Sequence, residues 1–470
     1  MNRRACVIGS GPNGLAGAIV LAQRGLQVNV FEAEAIPGGG ARTLELTLPG
    51  FLHDFGSAVH PLGVGSPFFS SLPLQNHGLT WIHSPAPLAH PFDDGTAVIL
   101  ERKLEDAHAA LGVDGKAWRS LMQPFADHWN EFASEVLAPV HLPFRHPFLL
   151  GRFGLMTLSS AKSIASRFRS SRIKALFAGL AAHSFLSLDE PLSGVFGIVL
   201  GVAAHAVGWP LPMRGSQSIT NALSSHLATL GGTVTTSRRI ESLSELKTYD
   251  VTLCDVTPQQ LLRMDGARFS DTFKRVLTRF RYGPGVFKVD YALSRSIPWK
   301  ASECLRAATV HVGGGFEEIA ESEKAMSQGK PAERPFIILV QPSFFDSTRA
   351  PEGKQTAWAY CHVPNGSTFD MLPRVEAQIE RFAPGFGQCI LARKVFSPAA
   401  LEAMDANLIG GDIVGGAMDI GQFLFRPTAR GYATSAKDVY LCSASTPPGG
   451  GVHGMCGYHG AKTAIERLKL

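Results

Sequence analysis

Gly9, Gly11 and Gly14 form the pattern G-x-G-x-x-G, with Pro12 and Asn13 inside it, and Glu32 follows about 20 residues on. Residue types at this spacing suit a dinucleotide. Gly9 makes a tight turn, Gly11 lets the backbone approach a pyrophosphate, and Gly14 lets a helix pack on a strand. Glu32, with Ala33 beside it, can accept hydrogen bonds from ribose hydroxyls. Downstream, Gly38, Gly39 and Gly40 permit a backbone–ligand approach that side chains would block, and Ala41 and Arg42 follow. Arg42 is placed to meet phosphate or carbonyl oxygens; an exposed loop arginine is the alternative.

These residues need a strand before them and a helix after them. Ala5–Ile8 is a short apolar run suited to a buried parallel strand. Leu15, Ile19 and Ala22 repeat with helical spacing up to Gly25, a C-cap residue, and Val28–Phe31 reads as the next strand. The alternation returns with a helix over Gly215–Leu230 and strands at Thr233–Thr236 and Val251–Cys254. It returns again with a strand at Val439–Cys442 and a helix over Gly454–Leu468. Gly449, Gly451 and Gly454 repeat the glycine spacing, but no strand immediately precedes them and no acid follows at the right distance. They read as a second surface for the first ligand. Between these segments, Val286–Leu293, Ala308–Val312, Phe336–Gln341 and Thr356–His362 suggest an antiparallel sheet. Arg374–Phe382 reads as a helix, and the chain as loop-rich from there to about residue 430. Gly313-Gly314-Gly315 reads as a turn without strand–helix context. The expected division is a dinucleotide-binding unit from 1–66, 211–266 and 430–470, and a substrate-binding unit from 67–210 and 267–429.

A length of 470 residues requires more than one core, and 45% hydrophobic with 18% charged residues is globular. The net charge of +5 carries no dense Lys/Arg run, so nucleic acid is not an expected partner. The seven cysteines include no C-x-x-C pair, which argues for reduced thiols, an intracellular, cytoplasmic setting and no zinc site. No Ser-His-Asp or metal-ligand spacing stands out. Leu192–Trp209 is nearly charge-free and reads as a buried helix, a cavity wall or a membrane-dipping surface. Four glycines and His205 within it argue against a spanning helix. The region Phe144–Phe196 leaves peripheral membrane contact open, and a homodimer is compatible with the chain.

The N-terminal fingerprint, the Gly215–Pro258 unit and the Ser445-Thr-Pro-Pro-Gly-Gly-Gly-Val-His-Gly454 run together resemble the FAD-dependent phytoene desaturase and flavin amine oxidase superfamily, in particular the phytoene-desaturase-like oxidoreductases. The resemblance implies an α/β fold. A Rossmann-like FAD-binding domain of the glutathione-reductase type would be assembled from discontinuous segments, beside an α+β substrate domain with a mainly antiparallel sheet. It implies that Gly9, Gly11 and Gly14 hold the FAD pyrophosphate and Glu32 the adenosine ribose. Gly39, Gly40, Arg42 and Thr43 would lie along the pyrophosphate and ribityl chain, Ile240 at the adenine, and Gly56 and Ser57 near the isoalloxazine. Gly451, Val452, His453, Gly454 and Met455 would lie at the flavin pyrimidine edge. Many relatives place an acid after the last strand for the ribityl hydroxyls; here Ala444 and Ser445 stand there.

Lys288, inside an apolar strand and ten residues before Pro298-Trp299, is similar to the flavin amine oxidase lysine that contacts flavin N5 through water. It is the first candidate for a catalytic group; an edge-strand residue facing water is the alternative. His453 would donate to flavin or substrate oxygen, or else hold a structural hydrogen bond at a helix start. The implied activity is dehydrogenation or desaturation of a small apolar, isoprenoid- or polyene-like substrate by hydride transfer to flavin N5. With only one mononucleotide-binding unit, oxygen or a quinone would reoxidise the flavin. A flavin amine oxidase releasing hydrogen peroxide, a redox-neutral double-bond isomerase and a flavin-free prenyl-protein chaperone are the alternatives.

Overall fold

The computed structural model describes residues 3–140, 144–266 and 268–469. Its first sheet is parallel throughout, in the order β16 (Val439–Leu441), β10 (Val251–Cys254), β1 (Arg4–Ile8), β2 (Gln27–Phe31) and β9 (Thr233–Thr235). β1 is central, and Ala5, Cys6 and Val7 are fully buried, as an apolar strand covered on both faces must be. The chain turns at Gly9, with φ at +96°, and Pro12 opens the helix Pro12–Gln23 at its first turn. The last helix, Met455–Leu468, crosses the first so closely that a Cβ on Gly457 would lie 1.7 Å from the Asn13 carbonyl oxygen. Three segments remote in sequence thus share one sheet, as the strand–helix alternation predicts.

The second sheet runs β15 (Ile390–Phe396), β11 (Gly285–Leu293), β14 (Gln355–Val363), β13 (Ile337–Val340), β12 (Ala307–Val312), β6 (Ala86–Pro91) and β7 (Ala97–Leu100). Neighbours are antiparallel except β12 and β6, which are parallel. The four strands read from sequence are present. The outer three were not legible: β6 carries Pro87 and Pro91, and β15 carries Arg393 and Lys394 on an edge. Two short ribbons, β3 (Thr43–Glu45) with β4 (Leu52–Asp54) and β5 (Trp81–Ile82) with β8 (Leu211–Pro212), complete the pairing.

Two readings are corrected. Gly313–Gly315 does have strand–helix context: it joins β12 to the helix Phe316–Ser327, which its charged composition hid. The stretch after residue 382 is not mainly loop, since β15 and the helix Pro398–Met404 lie there. The Leu192–Trp209 segment resolves into a buried helix, Ser193–Ala206, packed on Ser171–Ala182; a Cβ on Gly197 would meet the Phe177 ring at 2.8 Å. Phe153, Phe168, Phe177 and Phe185 are core residues. Among the described residues no helix is long and apolar enough to cross a membrane.

Candidate active site

One cavity runs from the glycine fingerprint to the inner face of the second sheet. At the fingerprint end its wall includes Gly9, Gly11, Pro12, Asn13, Glu32, Ala33, Gly39, Gly40, Ala41, Arg42, Gly56, Ser57, Ile240, Gly451 and Val452. No side chain caps the first helix, and the Asn13 amide makes no hydrogen bond among the described residues, so a donor and the positive helix end face the cavity. A Cβ on Gly11 would sit 2.8 Å from Asp255 Oδ2 and would push that carboxylate from the Gly14 amide. Glu32 accepts from the Ser10 amide (2.9 Å), the Ser10 hydroxyl (2.6 Å) and the Glu34 amide (2.9 Å), which leaves its Oε1 room for one more bond. Arg42 is anchored through Nε to the Gly39 carbonyl (2.8 Å) and through Nη2 to the Met404 carbonyl (2.7 Å), leaving Nη1 for a ligand. It is buried, not an exposed loop arginine. Neither the amide nor the carbonyl of Ile240 has a backbone partner among the described residues, which suits an adenine edge. The residues present therefore fit a dinucleotide.

Five predicted residues do not reach this wall. Thr43 donates its hydroxyl to Asp54 Oδ1 at 2.7 Å. Gly14 gives its amide to Asp255 Oδ2 (2.8 Å), and a Cβ on it would lie 2.1 Å from the Gly9 carbonyl oxygen; its work is packing. His453 is buried away from the cavity, and its Nδ1 accepts from the Met455 amide at 3.0 Å. Burial lowers its pKa to about 4, so the ring is neutral, and it holds a hydrogen bond at the helix start. Gly454 is packed on Phe69, and Met455 begins the last helix with its amide already taken by His453.

At the sheet end, Val286 and Lys288 of β11, Thr309 of β12, Ile338 and Val340 of β13, and Trp358 and Tyr360 of β14 form the floor. Phe185, Phe196, Leu200 and Trp209 form the opposite side, with His183. β11 lies between β14 and β15, so Lys288 is not an edge residue; it is 3% exposed. Residues two apart on a strand share a face, and Asp290 pairs with Lys288 there. Burial raises the Asp290 carboxyl to about 6 although Lys288 pulls it down. His53 Nδ1 is 3.7 Å from Asp290 Oδ1, but burial, with Lys288 and Arg349 adding, lowers His53 to about 3; it is neutral and forms no ion pair. Beneath, Arg349 and Asp54 form a fully buried ion pair at 2.6 Å.

Several wall residues escaped the sequence reading. Asp255 directly follows β10, at the carboxyl end of a strand beside β1, where ligands of open parallel sheets bind; that position was the available signal. Burial pushes its pKa up to about 8, with Asp405 and Glu32 adding, while the Gly14 amide pulls it down. Asp405 and Met404 close over Gly39 from a segment with no motif. Asp412 lies near Ala444 and Ser445, yet its carboxylate already accepts the amides of Gly283 (2.7 Å), Val414 (2.8 Å) and Gly415 (3.0 Å). As with Glu32, one of its oxygens, Oδ2, keeps room for a further bond.

A parallel dinucleotide-binding sheet and a mixed sheet facing one cavity define the fold class of the FAD-dependent oxidases. Residues 7–70 match the model of an NAD(P)-binding Rossmann-like domain. The chain is 26% identical to the mouse pyridine nucleotide-disulfide oxidoreductase domain-containing protein 2, over 99% of this chain and 94% of that one. It is 31% identical to a 4,4'-diapolycopen-4-al dehydrogenase of Metabacillus indicus over 31% of each chain. Among solved structures, a putrescine oxidase bound to putrescine has the same fold, with a TM-score of 0.60, 14% identity and full coverage of both chains. The chain therefore carries a Rossmann-like dinucleotide-binding domain, and its overall fold is shared with that putrescine oxidase.

Proposed function

We propose that this chain holds FAD and dehydrogenates or desaturates an apolar, isoprenoid- or polyene-like substrate, with oxygen or a quinone as the final acceptor. The observation that carries the reading is the sheet end of the cavity. Among the described residues Lys288 is its only charged side chain, and the other wall groups there are apolar, aromatic or neutral. When bound, the flavin supplies the hydride acceptor. Gly9, Gly11, the Asn13 amide, Arg42 and Ile240 would hold it. The walls formed by Phe185, Phe196, Leu200 and Val340 exclude water and keep an apolar chain against the sheet. Lys288, with Asp290 as its buried counter-charge, holds or moves the proton that a desaturation releases.

Lys288→Ala is expected to keep the flavin absorbance and lower turnover of a polyene or isoprenoid substrate by roughly 100-fold. Rapid amine turnover with peroxide release, and no turnover of any apolar chain with oxygen or a quinone, would refute the reading. The Trp358–Tyr360 pair, stacked at 5.4 Å beside Lys288, supports a second reading as an amine oxidase, because paired rings can flank an amine. Against it, Asp290 is already committed to Lys288, and among the described residues the sheet end of the wall has no other carboxylate for a protonated amine.

A further inference from the structure

The register of the second sheet sets two polar groups at opposite ends of one apolar row. Lys288 pairs with Tyr360, Tyr360 with Ile338, and Ile338 with His311. With strands about 4.8 Å apart, Lys288 and His311 are roughly 14 Å apart along this row. The adjacent row runs Asp290, Trp358, Val340, Thr309.

At the end remote from Lys288, hydrogen-bonding groups lack partners. Of the two β12 residues on this face, Thr309 and His311, Thr309 lines the cavity, and its Oγ1 is buried without a hydrogen bond. Buried polar groups are nearly always satisfied, so an orphaned hydroxyl on a cavity wall points to a ligand. His183 joins Thr309 from the end of the helix Ser171–Ala182, with its Nε2 3.1 Å from His311 Nε2. His311 Nδ1 has no partner and faces Gly179, where a Cβ would lie 2.6 Å away. An orphaned lone pair is tolerated better than an orphaned N–H. His311 therefore donates from Nε2 to His183 Nε2, and His183 carries its own proton on Nδ1. His183 is only half-buried and lines the cavity.

Both rings are neutral: burial lowers His183 to about 3 and His311 well below its ordinary value. On the same face, His362 is hydrogen-bonded to the buried Glu323 at 2.7 Å. Among the described residues no Lys or Arg stands at this end of the cavity wall. The donors therefore suit a neutral oxygen and not a carboxylate.

We propose that Thr309 and His183 bind the hydroxyl or carbonyl oxygen of an otherwise apolar chain whose reacting carbon lies near Lys288. The substrate class is an oxygenated isoprenoid-like molecule, an inference that rests on the apolar-substrate reading above. Binding of farnesol, farnesal, farnesene and farnesoate to the purified flavin-loaded protein, followed by intrinsic tryptophan fluorescence, tests it without turnover. Farnesol or farnesal should bind roughly tenfold or more tightly than farnesene, and more tightly than farnesoate. The double variant Thr309→Val, His183→Phe should lose that preference and keep its farnesene affinity. Equal or tighter binding of farnesene, tightest binding of farnesoate, or an equal loss of all probes in the variant would overturn the proposal. Failure of every probe, farnesene included, would overturn the apolar-substrate reading as well.

Discussion

The two ends of the cavity are built by opposite means. The fingerprint end is made of backbone: glycines, a helix start and a few side chains that fix the loops, most of them within residues 9–57. The sheet end is made of side chains, one or two from each of four strands, aligned only by register. A backbone site binds what all dinucleotides share and leaves no room for a Cβ. A side-chain site can be re-cut residue by residue, and it is where relatives of one fold diverge in substrate. Charge is divided the same way. Glu32, Arg42, Asp255 and Asp405 stand at the first end, while Lys288 and its partner Asp290 are the charged pair at the second.

The largest effect is expected where the two ends are clamped together. Arg349→Met leaves Asp54 buried without its counter-ion and should cost about 3–5 kcal/mol in chemical denaturation. Burial would raise the Asp54 carboxyl, but Arg349, with bonds from Ser216 and Thr43, holds it below its ordinary 3.8. The wild type should therefore keep this stabilisation above that pH and lose it as pH falls through the lowered value, and the variant should lack that acid-sensitive component. Gly14→Val drives a side chain onto the Gly9 carbonyl and should cost about 3 kcal/mol, with loss of the flavin absorbance. A comparable substitution at the sheet end, such as Val340→Ile, should spare the flavin; equal flavin loss in both variants would break the distinction between the two ends.

Asp255 offers a smaller test. Its carboxyl is raised in the fold, so its contribution is most favourable below pH 3.8 and declines as pH rises through about 8, when a buried group must ionise. Asp255→Asn should flatten that decline, with a gain on the order of 2 kcal/mol near pH 8 in thermal unfolding across pH. The smallest effect is His453→Ala. Loss of the cap on Met455 should cost about 1 kcal/mol and leave kcat unchanged. A fall in kcat at unchanged stability would return His453 to the chemistry.

The fingerprint was legible because each glycine answers a conformational demand set within a few residues of chain. The spacing Gly9, Gly11, Gly14, Glu32 names the turn, the helix and the acid together. The alternating apolar strands that became β11 to β14 were legible for the same reason: burial on both faces selects the residues locally. What the sequence hid were relations between segments. Lys288 reads as a lone cation until β11 places Asp290 on its face. His453 reads as a neighbour of the cofactor until the last helix takes its Nδ1 as a cap. Asp405, Thr309 and His183 carry no motif, and they join the cavity only because distant strands and helices are packed in one register. The sequence by itself determined the local backbone conformations and the class of ligand they bind. The tertiary structure alone decided which side chains share a wall, because that depends on contacts between residues hundreds of positions apart.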